Sequence, residues 1–212
     1  MPLVEEFPVL PEGRLGLWAI EEAEEVLYGS LDLSEWEQGQ LQGLKGHKRL
    51  EFLSARLLVH EMTGHLMRTP IEKDIFGKPF IPGSTWSVSL SHSGDFAAAL
   101  LAPGDIGVDV QRLVDKIVRI AHKFIGDGEQ PNLDPVFYTE HLHVYWGAKE
   151  AIYKAYGKKA LDFRRHIRIL PFSFKPEGGY FQGQLRKDEV SMDFHLWYQL
   201  RGAYILVWAL PV

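Results

Sequence analysis

Between Trp86 and Arg112 three short runs, WSVSLSH, FAAALLA and IGVDVQR, are separated only by SGD and PGD. Runs of this length and β character, punctuated by Gly–Asp turns, fold back on one another, so they read as an antiparallel meander. That fixes sheet-forming chain in the middle of the sequence and leaves the flanks to be read around it. Upstream, RLGLWAI (14–20) alternates and reads as a strand. Residues 34–66 carry helical signals: Ser34 is placed as an N-cap with Glu37 three residues on, Leu50, Leu53, Leu57 and Val59 lie near one face, and Gly64 is a stop. FGKPFIPGST (76–85) is a loop. Downstream come a helix over 115–125, a loop at GDGEQPNLDP, a longer helix from Tyr138 to Tyr156, and a tail from Ile167 whose runs IRIL, YFQGQL, MDFHLWYQL and AYILVWAL read as an antiparallel sheet.

Helices followed by strands thus occur twice, once in about 1–103 and once in about 104–212. The expected fold class is α+β: two similar lobes, a pseudo-dimer within one chain, each an antiparallel sheet packed with helices. With 46% apolar and 24% charged residues, 212 residues can bury an ordinary core, so a disordered chain is excluded. A net charge of −5 argues against a protein that coats nucleic acid. The absence of cysteine excludes disulfides, thiolate metal sites and a Cys nucleophile. MPLVEEFPVLPEG lacks a basic region and a long apolar run, so it is not read as a signal peptide, and no stretch approaches a membrane span. A soluble cytoplasmic protein is expected.

Five polar pieces can carry chemistry. Asp109 and Gln111, two apart on a strand, point to one face while Val108 and Val110 pack on the other. A carboxylate beside an amide oxygen is a hard-oxygen set suited to Mg²⁺; the plain alternative is a solvated edge strand. In WGAKEAIYKAYGK (146–158), Trp146, Glu150 and Lys154 share a helix face. The plain alternative is an i, i+4 ion pair, which stabilises a helix by only about 0.2–0.5 kcal/mol. If Glu150 instead faces Asp109 and Gln111 it completes a three-oxygen site, and Lys154 reaches a phosphate. SLSHSGD (89–95) sits at a strand end, where Ser91 and His92 can donate to phosphate oxygens. Lys78 lies in the bent FGKP loop, and Arg49 and Arg56 fall on one face of the 34–66 segment, an arrangement that suits a phosphate or mere solubility.

Taken in order, FGKP…SLSHSGD…IGVDVQ…YWGAKEAIYKAYGK resembles the 4′-phosphopantetheinyl transferases, and more closely their two-lobed, monomeric subfamily that activates synthetase carrier domains. The likeness covers about residues 45–160 by motif. It implies transfer of the phosphopantetheine arm of coenzyme A to a carrier-protein serine with release of 3′,5′-ADP. It further implies Asp109 and Glu150 as acidic Mg²⁺ ligands, and Gln111 in the third ligand position, where many relatives have Glu. Lys154 would touch the phosphates. Lys78, Ser91 and His92 would hold the coenzyme A end, with Arg49 as an adenosine-phosphate contact. The lobe boundary then separates coenzyme A contributions in 1–103 from metal ligands and carrier docking in 104–212. Lys116, Arg119 and Lys123 form a basic stripe that an acidic carrier helix could meet. Three other readings stay open at this level: a non-catalytic coenzyme A- or nucleotide-binding protein of the same fold, a Mg²⁺-dependent phosphohydrolase, and an unrelated scaffold.

Overall fold

The computed structural model describes residues 3–9, 12–64, 68 and 70–212. The chain divides into two compact units, Met1–Pro103 and Gly104–Val212. Unit 1 runs β1 (Leu3–Pro8), β2 (Arg14–Ala19), α1 (Glu24–Gly29), α2 (Glu35–Gln42), α3 (His47–Thr63), the short pair β3 (Glu72–Lys73) and β4 (Pro79–Phe80), β5 (Ser87–Ser93) and β6 (Phe96–Ala102). Its main sheet is antiparallel in the order β1-β2-β6-β5. On β6 alanines at 97 and 99 leave room for α3, whose Leu53, Leu58 and Met62 are buried with Trp18 in the core between them.

The helical span expected over 34–66 is two helices. The Ser34–Glu37 capping box forms as expected and starts α2, but Gly43 ends it. Gly46, at φ +55°, then turns the chain into α3, and Gly64 closes α3 in the left-handed conformation. His65 and Leu66, at the end of that expected span, lie outside the described residues. β1 and α1 were not anticipated.

The expected meander is half right. β5 and β6 form the hairpin at Ser93–Phe96. The third run, β7 (Gly107–Arg112), pairs with β11 (Tyr204–Pro211) instead. The reason is that β6 already has β5 on one edge and β2 on the other, so no edge remains for β7. PGD at 103–105 is therefore a passage between units and not a hairpin turn.

Unit 2 continues with α4 (Lys116–Ile120), α5 (Tyr138–Tyr156), α6 (Phe163–His166), β8 (Ile167–Ile169), β9 (Gly179–Lys187), β10 (Val190–Arg201) and β11. The sheet is antiparallel in the order β7-β11-β10-β9-β8. The helix expected over 115–125 is only α4 followed by a 3₁₀ turn at Ala121–Lys123. The long helix over 138–156 is as expected. On β10 Phe194, Leu196 and Tyr198 alternate inward and meet Leu142, Tyr145 and Ile152 of α5 in one core. Both units are thus α+β, each an antiparallel sheet packed with helices.

One close approach sets the register of α5 on β7. A Cβ at Gly107 would stand 1.8 Å from the carbonyl oxygen of Ala151, so only glycine lets the helix lie against that strand backbone. This contact brings the next turn of α5, with Lys154, beside Val108 and Asp109.

Candidate active site

Asp109 points from the middle of β7 and is 7% exposed. Its Oδ1 accepts from Lys154 Nζ at 2.8 Å, and the same ammonium donates to Val108 O at 2.8 Å. Its Oδ2 accepts from Gln111 Nε2 at 3.3 Å, as expected of two side chains on one strand face. Val108 and Val110 are buried on the opposite face. Glu150, one turn before Lys154 on α5, is pushed up to about 7 by its burial and by the negative charge of Asp109, against the pull of Lys154. The structure therefore brings Asp109, Gln111, Glu150 and Lys154 together within unit 2. Lys154 is an ion-pair partner of Asp109 across two elements, and its charge also acts on Glu150 one turn back along the helix.

Gln111 is more engaged than a free ligand would be. Its Oε1 lies 2.8 Å from His143 Nδ1, and its Nε2 donates to His143 O at 3.0 Å. His143 is buried, which pushes its pKa down, and its Nε2 accepts from the Val114 N–H at 3.0 Å. Among the described residues no group of three or more His, Asp or Glu stands ready for a metal.

The neighbouring Lys149 has a different part. It is fully buried, and its Nζ meets Phe124 O at 2.7 Å, Glu129 Oε2 at 2.7 Å, Phe163 O at 3.0 Å and Ile167 O at 2.9 Å. Glu129 in turn accepts from the N–H groups of Gly126 and Ile169. Lys149, which as a helix lysine could be taken for a solvated surface cation, instead ties three chain segments to α5 from inside. Most of the helix circumference is buried, from Leu142 and Tyr145 to Ile152 and Ala155.

In unit 1, Ser91 is buried on β5, and His92 Nδ1 lies 3.0 Å from Glu51 Oε2 of α3. Lys78 lines a cavity of about 400 Å³ with Asp74, Phe80, Ile81 and Trp86, and its backbone N–H donates to Asp74 Oδ1 at 2.9 Å. Arg49 is already paired: its Nη2 lies 2.6 Å from Glu24 Oε1, and its Nη1 donates to Leu41 O at 2.7 Å. A phosphate contact from Arg49 would have to use the guanidinium N–H groups that Glu24 and Leu41 do not take. Arg56 belongs to the interior, its Nε 3.0 Å from Glu37 Oε1, where Arg68 also binds. It is a structural cation, because burial of Glu37 demands paired charge.

Residues 105–208 match the family model described as the 4′-phosphopantetheinyl transferase superfamily. The second unit belongs to that superfamily. The match takes in Asp109, Gln111, Glu150 and Lys154 and stops short of Arg49, Lys78, Ser91 and His92. Among curated proteins, the chain is 29% identical over 87 residues to a 4′-phosphopantetheinyl transferase of Bacillus subtilis, covering 39% of either chain. It is 30% identical over 115 residues to 4′-phosphopantetheinyl transferase psf-1 of Bacillus pumilus, covering 49% of this chain and 46% of that one. The chain thus spans less than half the length of the transferases it matches.

Sequence reasoning missed three interior groups of unit 2: His143 behind Gln111, and the buried pair Lys149 and Glu129. His143 lies seven residues before Glu150 and so on its helix face, a spacing that marks it out. Glu129 stands alone in a Gly-rich loop and carries no such signal.

Proposed function

We propose that the chain transfers the 4′-phosphopantetheine group of coenzyme A to a serine hydroxyl of an apo carrier protein, with Mg²⁺, and releases 3′,5′-ADP. The observation that carries this reading is the meeting of Asp109, Lys154 and Glu150 inside the segment that matches the superfamily. The bond that forms joins the serine oxygen to the pantetheine-side phosphorus. The bond that breaks joins that phosphorus to the bridging oxygen, which leaves with 3′,5′-ADP. The nucleophile comes from the partner, so this chain needs none.

The residues fit a divalent cation. Partial burial first, and the nearby negative charge of Asp109 second, raise the Glu150 carboxyl to about 7, the signature of two carboxylates sharing a site, and hard oxygens of this kind suit Mg²⁺. Asp109 and Glu150 would hold the ion, which supplies charge neutralisation at the diphosphate. Lys154 presents a fixed positive charge beside Asp109 for the phosphate oxygens. Glu150 and solvent water are the two groups that can take the serine proton. Lys78, Ser91 and His92 are assigned to the coenzyme A end, and Arg49 joins them through the N–H groups not engaged by Glu24 and Leu41. The exposed Lys116 and Arg119 of α4, with Lys123 beyond it, are assigned to carrier docking. A cytoplasmic monomer completes the reading; among the described residues no helix is long and apolar enough to cross a membrane.

The test is incubation with coenzyme A, Mg²⁺ and several apo carriers, followed by intact mass. One carrier should gain one phosphopantetheine, and Asp109→Ala or Glu150→Ala should slow transfer by about two orders of magnitude or more. Turnover of coenzyme A without a carrier would make the protein a hydrolase. Near-normal transfer by either variant would remove that residue from the mechanism.

A further inference from the structure

Gln111 occupies a position where a third oxygen ligand is expected, yet its surroundings prescribe another use. An amide has one acceptor end and one donor end. The donor end, Nε2, faces two acceptors, His143 O at 3.0 Å and Asp109 Oδ2 at 3.3 Å. Rotating the amide would set Oε1 against both, oxygen to oxygen. The acceptor end faces His143 Nδ1 at 2.8 Å. His143 is held in turn at Nε2, which lies 3.0 Å from the Val114 N–H and 3.1 Å from Val114 O, contacts that suit a bare or a protonated Nε2. The amide decides instead: its donor end fixes its orientation, Oε1 then faces the ring, and Nδ1 carries the proton that Oε1 accepts.

The helix is shaped for this arrangement. A Cβ at position 147 would stand 2.9 Å from Gln111 Nε2, so Gly147 opens the space that the amide fills. Asp109 ends up gripped at both oxygens, by Lys154 at Oδ1 and by Gln111 at Oδ2. With Nε2 toward Asp109, the one ligating atom of Gln111, Oε1, is at the end of the amide that faces His143.

We infer that His143 makes Gln111 a positioning residue for Asp109, with its amide oxygen turned away from the cation, and that the cation is held by the carboxylates of Asp109 and Glu150 without a third protein oxygen. His143 thus decides what position 111 does. The ion must then complete its shell from diphosphate oxygens and water, so it binds mainly together with coenzyme A.

This inference rests on the cation-dependent transfer proposed above, and its test separates the two. Mn²⁺ binding in the presence of coenzyme A is followed by paramagnetic resonance, beside transfer kinetics. Unchanged Mn²⁺ affinity in Asp109→Asn would remove the cation site and with it the proposed function. With that affinity lost as expected, Gln111→Leu should weaken Mn²⁺ less than about threefold while lowering kcat roughly tenfold or more. A loss of Mn²⁺ affinity as large as that in Asp109→Asn would make Gln111 a ligand and overturn the inference. His143→Leu should reproduce the kcat defect, and His143→Asn, which keeps an N–H near the Nδ1 position, should restore most of it. Wild-type kcat in His143→Leu would also overturn it. The native protein gives an independent reading that does not depend on any variant folding. Its ¹⁵N spectrum should show His143 with the proton on Nδ1 and a Gln111 side-chain amide that Mg²⁺ with coenzyme A leaves unshifted. A bare Nδ1, or a Gln111 amide that moves on addition of the ion, contradicts it.

Discussion

Lys149→Met decides whether the lysine beside Glu150 is a phosphate-handling group or a structural one. The Lys149 ammonium is fully buried and has four oxygens within 2.7–3.0 Å, one of them the carboxylate of Glu129, itself 3% exposed. Methionine fills the same volume and removes the charge. Glu129 is then a buried carboxylate with only backbone N–H partners, and three carbonyls lose a donor. Removing one partner of a buried ion pair costs about 3–5 kcal/mol. The orphaned carbonyls push the cost toward the upper end of that range, since each unsatisfied buried acceptor is worth about 1–3 kcal/mol before relaxation. For a chain of this length, about 4 kcal/mol lowers Tm by roughly 10 °C. Denaturant and thermal unfolding read this directly. Glu129→Gln added to Lys149→Met should recover at least about 1 kcal/mol by removing the unpaired charge. Affinity for coenzyme A, measured per folded molecule, should hardly move. Stability within about 1 kcal/mol of wild type, together with lost coenzyme A binding, would refute the interior assignment.

Glu150→Gln should stabilise the metal-free protein at pH 8. The fold holds this carboxyl at about 7 against an ordinary 4.5, so it favours the protonated form; that contribution is present below 4.5 and is lost as pH rises through 7. The gap is worth at most roughly 3 kcal/mol, so unfolding in chelator should show a gain for the variant at pH 8 that vanishes near pH 4.5, and a pH-independent difference would count against the burial of Glu150 and its coupling to Asp109. Gly107→Ala should cost about 3 kcal/mol or more, because the new Cβ meets Ala151 O at 1.8 Å and α5 must lift from β7; a mild effect on unfolding would mean that the helix does not lie there. Charge reversal at Arg119 and Lys123 should raise the KM for carrier severalfold and leave that for coenzyme A alone. An unchanged carrier KM would move the docking surface elsewhere.

What the sequence revealed depended on whether the cause was local. The capping box at Ser34, the left-handed stop at Gly64 and the alternation that puts Asp109 beside Gln111 are set by neighbours within a few residues, and each formed as read. The long helix over 138–156 was legible for the same reason. The fate of β7 was not, because a turn says that a chain reverses and not which edge is vacant. β2, some eighty residues upstream, had taken the place beside β6.

Charge was misread for a related reason. Lys149 and Arg56 look like surface cations on amphipathic helices, and by composition alone that is where they belong. Each is drawn inside by a carboxylate remote in sequence, Glu129 for one and Glu37 for the other. Neither carboxylate carries a periodic signal: Glu129 sits in a loop, and Glu37 reads fully as a capping residue. The same holds in the site. Gln111 beside Asp109 looks like a ligand set until His143, from another element, claims the amide oxygen. A residue type limits what a side chain can do, but the partner that folding delivers to it decides which of those things it does. A Gln that accepts from a buried histidine is, in its effect on a cation, nearer to a hydrogen-bond clamp than to a ligand.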